Sequence, residues 1–462
     1  MSSLRHRPFE AVCVLLISLG AVLRLKHYLT NCSLWTDEAW VAVSIVSRSF
    51  RDIFFGVEIF PDFSKPPLGF LLSAKAAVLA LGNHEYALRL FPLICGLASI
   101  VLFVRLLKKF QDKALTVLAL GSFCLSPTLI YYSAELKQYS LDLLTGLVLF
   151  LVLGQAVREK LSVKRVIALG LLGSCAMWMS NAALFILAAF GLTLSIMTAL
   201  EKRWSCLLRS LAVYACWAVS FWFLYKKFLS GMAGNTALFN SWQGAVLEAP
   251  LFSKAALTWI MTVVPEMFLN PLDFSFSGIG LVLFGVGVVS LFRTKKDHAL
   301  MFFFAILIAL LAAALHKYPF RGRLLLFLVP AVLIFVVQGL LSVGRKSPKS
   351  FSLALIIILG LLLFAGALGE AFRGFSKDYC REESREAIAF VKDHYRKGDS
   401  LLLNSAAQFP LWYYGSRLKL ARDFEETWAG IENGVPKKGG QDRQILGRVP
   451  GGQRPAVHFF PL

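Results

Sequence analysis

The chain has 462 residues, of which 57% are hydrophobic and only 16% charged; a soluble domain carries about a quarter charged residues. That balance excludes an ordinary soluble enzyme, and recurring apolar runs of about 17–25 residues, long enough to cross a bilayer as helix, indicate a polytopic membrane protein. The formal net charge of +20 invites a nucleic-acid partner, but basic loops that set membrane topology account for it, and no nucleic acid is expected.

The first expected span is Phe9–Leu29. No small-residue cleavage site follows it and further spans do, so it reads as a span and not as a removed signal peptide. Directly after it comes Trp35-Thr36-Asp37-Glu38-Ala39-Trp40. Carboxylates at a bilayer edge are costly and often functional, and the flanking tryptophans suit the aromatic belt of the membrane interface. The plainer reading of Asp37 and Glu38 is an acidic cluster at a helix start, where the macrodipole favours negative charge. Lys65-Pro66-Pro67-Leu68 then holds a cation before a rigid helix start. Pro67–Leu81 reads as a helix lying on the outer surface, because it is short, opens with Pro-Pro and carries Lys75 midway.

Further spans are expected at Tyr86–Leu107, Ala114–Tyr132, Tyr139–Val157, Val166–Met179, Ala182–Leu200, Leu207–Tyr225, Gly278–Phe292, Ala299–Leu315, Leu324–Leu341 and Phe351–Ala371, making about eleven transmembrane helices. Ser180-Asn181 is the thinnest boundary. Basic clusters at Arg5 and Arg7, Lys108-Lys109 with Lys113, Arg158 to Arg165, Lys202-Arg203, Arg293 to Lys296 and Arg345 to Lys349 mark alternate loops. The positive-inside rule makes those loops cytoplasmic if residues 65–82 do not cross. Residues 31–83, 133–138, 229–277, 316–323 and everything after Phe372 then lie outside. Beyond Phe372, Glu382 to Asp399 has helical periodicity, Leu401-Leu402-Leu403 reads as a strand, and a Gly/Pro-rich tail follows Gly430. The expected organisation is a membrane domain over residues 1–371, with its first external loop at 30–85, and a small extracytoplasmic α/β module over 372–462. Most of the cysteines lie in apolar runs and act as small hydrophobes. Cys32 and Cys380 fall on external segments and could pair; their spacing alone does not decide it, and no metal-type Cys/His spacing occurs.

Several outer segments carry cations against the topological bias: Lys65, Arg89, Lys137, His316, Lys317, Arg321 and Arg323. Singly they could snorkel to lipid headgroups. As a set they suit a phosphate attached to a lipid, which Arg binds in two-pronged fashion and Lys as a point charge. Asp37 is the candidate general base, able to take the proton of a hydroxyl acceptor as it attacks a glycosidic carbon. Glu38 could orient an acceptor, bind a metal or cap the helix. A divalent cation on Asp37 and Glu38 is conceivable, with no third ligand evident. Ser133 to Asp142 alternates charge in an apolar region, with Glu135, Lys137 and Tyr139 leading into Asp142 inside the next span; a lone carboxylate there is expensive and calls for a partner such as Lys137 or Arg89. His316 and Tyr318 accompany Arg321 and Arg323 in a short, cation-rich connection between two clean spans.

These segments, in this order, resemble the polyprenyl-phosphate-sugar-dependent glycosyltransferases of the multi-spanning GT-C fold, nearest to the superfamily of protein O-mannosyltransferases and aminoarabinose lipid A transferases (glycosyltransferase family 39-like). The matching pieces are Trp-Thr-Asp-Glu-Ala-Trp, Lys-Pro-Pro-Leu, Glu85 to Pro92, Ser126-Pro127 to Asp142, and Tyr318-Pro319 to Arg323. The resemblance covers Phe9 to Val343. It implies an inverting transfer with Asp37 as base, a surface helix in the first outer loop, and Lys65, Arg89, Lys137, Arg321 and Arg323 on the side of a departing lipid phosphate. It implies a polyprenyl-phosphate sugar donor, an acceptor that is lipid, glycan or protein, and a cytoplasmic (inner) membrane location with the active site facing outward. The external module is smaller than the large luminal domains of eukaryotic mannosyltransferases. The competing class is a transporter or flippase of lipid-linked sugars. Repeated halves and mid-membrane breaks would mark it, but the unusual polar residues here sit at the outer boundary.

Overall fold

The computed structural model describes residues 7–56, 59, 65–230, 242–376, 380–394, 396, 400–402, 405–418 and 457–459. It divides into two compact units, Met1–Asn31 with Arg48–Tyr379, and Cys32–Ser47 with Cys380–Leu462. The helices in chain order are α1 (Arg7–Thr30), α2 (Thr36–Val46), α3 (Phe50–Phe55), α4 (Leu68–Leu81), α5 (Glu85–Leu107), α6 (Lys113–Leu125), α7 (Pro127–Tyr132), α8 (Tyr139–Ala156), α9 (Val163–Met179) and α10 (Ala183–Leu200). They continue with α11 (Trp204–Leu224), α12 (Lys254–Leu269), α13 (Ser277–Thr294), α14 (Lys296–Ala314), α15 (Val329–Lys346), α16 (Lys349–Ser376), α17 (Ser384–His394) and α18 (Gln408–Leu418).

The first unit is a bundle. Among the described residues, nine helices are long and apolar enough to cross a membrane. The apolar stretch ending in α15 is 89% buried and that of α8 is 72% buried, whereas that of α16 is 17% buried. Helices α8 and α15 therefore lie inside the bundle and α16 at its periphery. Both of the former are predominantly apolar, as a helix enclosed by protein or lipid must be, with a few hydrogen-bonded polar residues such as Asp142 in α8 and Ser342 in α15. The main packed pairs are α13 with α15, α10 with α14, α5 with α8, and α9 with α11. Glycine sets the tightest of these. A Cβ at Gly287 would lie 1.7 Å from Phe335 O, and one at Gly339 would lie 1.9 Å from Leu283 O, so α13 and α15 cross backbone to backbone.

One expected span takes a different form. Ala114–Tyr132 is broken into α6 and α7 at Ser126-Pro127. Proline has no N–H to return to the carbonyl four residues earlier, here Phe123. The released carbonyls are taken up by Arg24 of α1: its Nη2 donates to Phe123 O at 3.3 Å, and its Nη1 to Cys124 O at 3.1 Å and Gly20 O at 2.9 Å. On the far side of the break, Ser126 Oγ accepts from Leu129 N at 3.1 Å, and the Asp273 carboxylate accepts from Ser126 Oγ at 2.6 Å, Thr128 Oγ1 at 2.5 Å and Thr128 N at 3.2 Å. The span expected over Val166–Met179 is α9, a continuous helix of 17 residues. The boundary at Ser180-Asn181 stands, with α10 beginning at Ala183. Residues 229–277, read as an external loop, contain α12, whose N-terminus is capped by Ser253 Oγ accepting from Ala256 N at 3.1 Å. The helix expected over Pro67–Leu81 is α4, which starts at Leu68 and has 14 residues, about 21 Å of helix against the roughly 30 Å of a bilayer core.

The second unit draws on distant parts of the chain. It holds α2, which carries the acidic pair, together with α17 and α18, and α2 packs against α18. The first external loop is therefore not a single piece: residues 32–47 group with the chain after Cys380. Cys32 and Cys380 are disulfide-bonded, with Cα atoms 5.3 Å apart and a sequence separation of 348. Tyr414 Oη accepts from Leu34 N at 2.7 Å, and the Glu382 carboxylate accepts from Thr36 N at 3.0 Å. Ser400–Leu402 pairs in parallel with Val457–Phe459. Leu403 and, apart from residues 457–459, the Gly/Pro-rich tail after Gly430 lie outside the described residues. Replacing Cys32 with Ser is expected to lower the stability of this unit by about 2–5 kcal/mol, read as an earlier unfolding transition in detergent. Recovery of unlinked Cys32 and Cys380 peptides from unreduced wild-type protein would contradict the pairing.

Candidate functional site

The acidic pair occupies the first turn of α2. An extended Trp35 precedes it, and Trp35 supplies no side-chain cap. The turn is instead closed by Glu382, whose carboxylate meets the backbone N–H and the hydroxyl of Thr36. Two acids in a first turn suit the partial positive charge of a helix N-terminus. Their environments differ sharply. Glu38 is 1% exposed, whereas Asp37 is only partly buried. A proton acceptor must be reachable by the hydroxyl it serves, and Asp37 meets that condition while Glu38 is enclosed as a structural carboxylate would be. Trp40 is buried in the second unit, and the partly buried Trp35 ring has the Arg381 guanidinium 4.3 Å from its centroid.

In the first unit, four of the expected residues gather at the N-terminal end of α8. The Arg323 guanidinium lies 5.6 Å from the Tyr139 ring centroid and 5.6 Å from that of Trp242. Tyr318 is also in this group: its hydroxyl donates to Leu324 O at 2.8 Å and its ring meets Phe185 at 4.8 Å. Burial, with the charges of Asp142 and Tyr139 beside it, raises the Tyr318 phenol well above its ordinary value, so it remains a neutral donor. Asp142 Oδ1 accepts from Ser180 Oγ at 2.6 Å. The partner expected from sequence was a cation, Lys137 or Arg89. Ser180 fills that place because the chain breaks helical form between α9 and α10, which aims its hydroxyl at α8.

The remaining residues are distributed as follows. Arg89 on α5, and Glu135 and Lys137 between α7 and α8, are all nearly inaccessible. Charged groups persist in such places only when paired or hydrogen-bonded. Lys65 is half-buried just ahead of α4. The cation-rich connection after α14 splits up. His316 is exposed in a left-handed turn (φ 57°). Arg321 is exposed too, with its Nε donating to Glu266 Oε1 of α12 at 2.7 Å. Arg323, by contrast, lies over the Tyr139 ring. Ser180, Trp242 and Glu266 escaped the sequence reading as site residues, since a lone Ser, Trp or Glu carries no pattern. Among the described residues no three His, Cys, Asp or Glu side chains converge as a metal site.

This architecture, a bundle of apolar helices with a short helix after the first span and an acidic helix start, is the GT-C fold of membrane glycosyltransferases. The particular likeness is to ArnT from Cupriavidus metallidurans. Its structure bound to undecaprenyl phosphate aligns with a TM-score of 0.52 at 13% identity, covering 90% of each chain. Its apo structure aligns with 0.51 at 14% identity, covering 86% of this chain and 84% of that one. The Archaeoglobus fulgidus oligosaccharyltransferase, crystallised with Zn and sulfate, aligns with 0.49 at 12% identity over 86% of this chain, which spans 57% of that protein's length. No family model matches the sequence, and no curated protein does.

Proposed function

We infer that this protein transfers a sugar from a polyprenyl-phosphate donor to a hydroxyl acceptor at the extracytoplasmic face of a cytoplasmic membrane. The observation that carries the reading is the end-to-end fold likeness to ArnT, a protein seen bound to undecaprenyl phosphate. Asp37 takes the acceptor hydroxyl's proton as that oxygen attacks the anomeric carbon. The bond from that carbon to the lipid phosphate oxygen breaks, the phosphate leaves with the bonding pair, and attack from the opposite side inverts the configuration. Cationic groups stabilise the charge that grows on the phosphate. Arg323, held between Tyr139 and Trp242, is the cation whose direction is best defined, and Lys65, Arg89, Lys137 and Arg321 are assigned to the same task. Glu135, Tyr139, Asp142, His316 and Tyr318 support them. The Cys32–Cys380 disulfide supports an oxidising, extracytoplasmic setting for the second unit. A lipid, glycan or protein acceptor fits equally.

Arg323→Ala is expected to weaken binding of a polyprenyl phosphate about tenfold or more, the worth of one charge-assisted hydrogen bond. Arg323→Lys should restore little of it, because an ammonium neither stacks between rings nor grips a phosphate with two prongs. Titration of the purified protein with undecaprenyl phosphate measures both, and unchanged affinity in the Ala variant removes Arg323 from the phosphate site.

A further inference from the structure

A cleft of about 730 Å³ opens between the C-terminal ends of α5 and α8 and the N-terminal end of α9. Arg89 and Arg105 are sixteen residues apart on α5, so the cleft lies about 24 Å along the helix from the level of Arg89. It belongs to the other end of the bundle and owes nothing to the transferase reading. Its composition is two-part. Leu102, Val148 and Val152 form an apolar wall, and Arg105, Lys108 and Lys109 line its end. Val148 to Gln155 of the lining extends about 10 Å along α8. The lining has one carboxylate, Glu159, and it is already engaged: Arg165 Nη2 lies 2.9 Å from it and Gln155 Nε2 donates to it at 3.2 Å. Arg105 of α5 and Lys108 and Lys109 just beyond its end thus face the cleft with no carboxylate of its lining left to neutralise them, and all three are exposed.

An occupant complementary to these walls has a hydrocarbon part and an anionic head. A soluble phosphate would leave the apolar wall wet, and a neutral lipid would leave the cations unanswered. We propose that this cleft binds an anionic phospholipid, its phosphate headgroup against Arg105, Lys108 and Lys109 and its first methylenes along Leu102, Val148 and Val152. The basic clusters Lys108-Lys109 and Arg158 to Arg165 mark this end as cytoplasmic by the positive-inside rule, and anionic lipids are concentrated in the cytoplasmic leaflet.

The full-length protein in phosphatidylcholine nanodiscs, doped with a photoactivatable phosphatidylglycerol, tests this. After illumination, mass spectrometry of the peptides should show saturable labelling of residues 102–109 and 148–155, displaced by unlabelled phosphatidylglycerol. Replacing Arg105, Lys108 and Lys109 together with Gln should lower that labelling at least about tenfold, each cation near an anionic headgroup being worth about fivefold in affinity. Val152→Trp, which fills the cleft and keeps every cation, should do the same, and it decides the matter should the triple variant fail to fold. Labelling that persists in Val152→Trp, that a photoactivatable phosphatidylcholine matches, or that soluble glycerol phosphate displaces would overturn the proposal.

Discussion

Asp37→Asn is expected to lower sugar transfer from a polyprenyl-phosphate donor by about 10²–10⁴-fold, the usual worth of a positioned general base, and to leave the protein folded. The amide cannot accept a proton, yet it nearly matches the carboxylate in shape. Asp37 is partly exposed on the first turn of α2, so the exchange does not open the interior. Glu38→Gln serves as the contrast. Glu38 is enclosed, and hydrogen bonds to a buried charged group are worth about 1.5–3 kcal/mol each, so this change should appear first as lost thermal stability. Single-turnover release of lipid phosphate, measured beside melting temperature for both variants, separates the two roles. Undiminished transfer by Asp37→Asn would sink the base assignment.

Gly339→Leu should destabilise the first unit by several kcal/mol, a cost typical of forced overpacking at its upper end. The new Cβ would lie 1.9 Å from a backbone carbonyl oxygen of Leu283, and no side-chain rotation relieves a clash with backbone. Helices α13 and α15 would have to part along the crossing that Gly287 and Gly339 share. Because α15 is the most enclosed part of the bundle, the damage should spread to its neighbours. Gly360→Leu on α16 is the control, since nothing lies within 4 Å of a Cβ there. Membrane yield and thermal unfolding in detergent should fall for Gly339→Leu and stay near wild type for Gly360→Leu. Equal behaviour of the two would remove the crossing from the account.

The spans and the acidic turn were legible in the sequence for a local reason. An apolar run of bilayer length, a Pro-Pro before a short helix, and acids at a helix start are all written in consecutive residues. The expected helix over Pro67–Leu81 appears as α4, and Ser180-Asn181 separates two helices as read. The failures share a cause as well. Asp142 was matched by charge to Lys137 or Arg89, but its partner is the neutral hydroxyl of Ser180, 38 positions away, which no pattern around Asp142 announces. Nor does the sequence tell apart the cations of the connection after α14, where Arg321 pairs with Glu266 while Arg323 lies over Tyr139 and Trp242. Arg24 drew no notice, since nothing in α1 announces that Pro127 will leave carbonyls for it to satisfy.

Composition and hydrophobic run length alone determined that this is a multi-spanning membrane protein with an acidic turn after its first span, because burial in lipid constrains every residue of a span independently of its distant neighbours. Tertiary structure alone decided which buried polar groups meet. It joined Cys32 to Cys380, folded α2 with the far end of the chain, laid α13 against α15 at two glycines, and left three cations facing an apolar cleft. Those choices depend on packing between segments that are distant in sequence, where the cost of an unpaired buried group or a backbone clash selects the partner and no local pattern records the outcome.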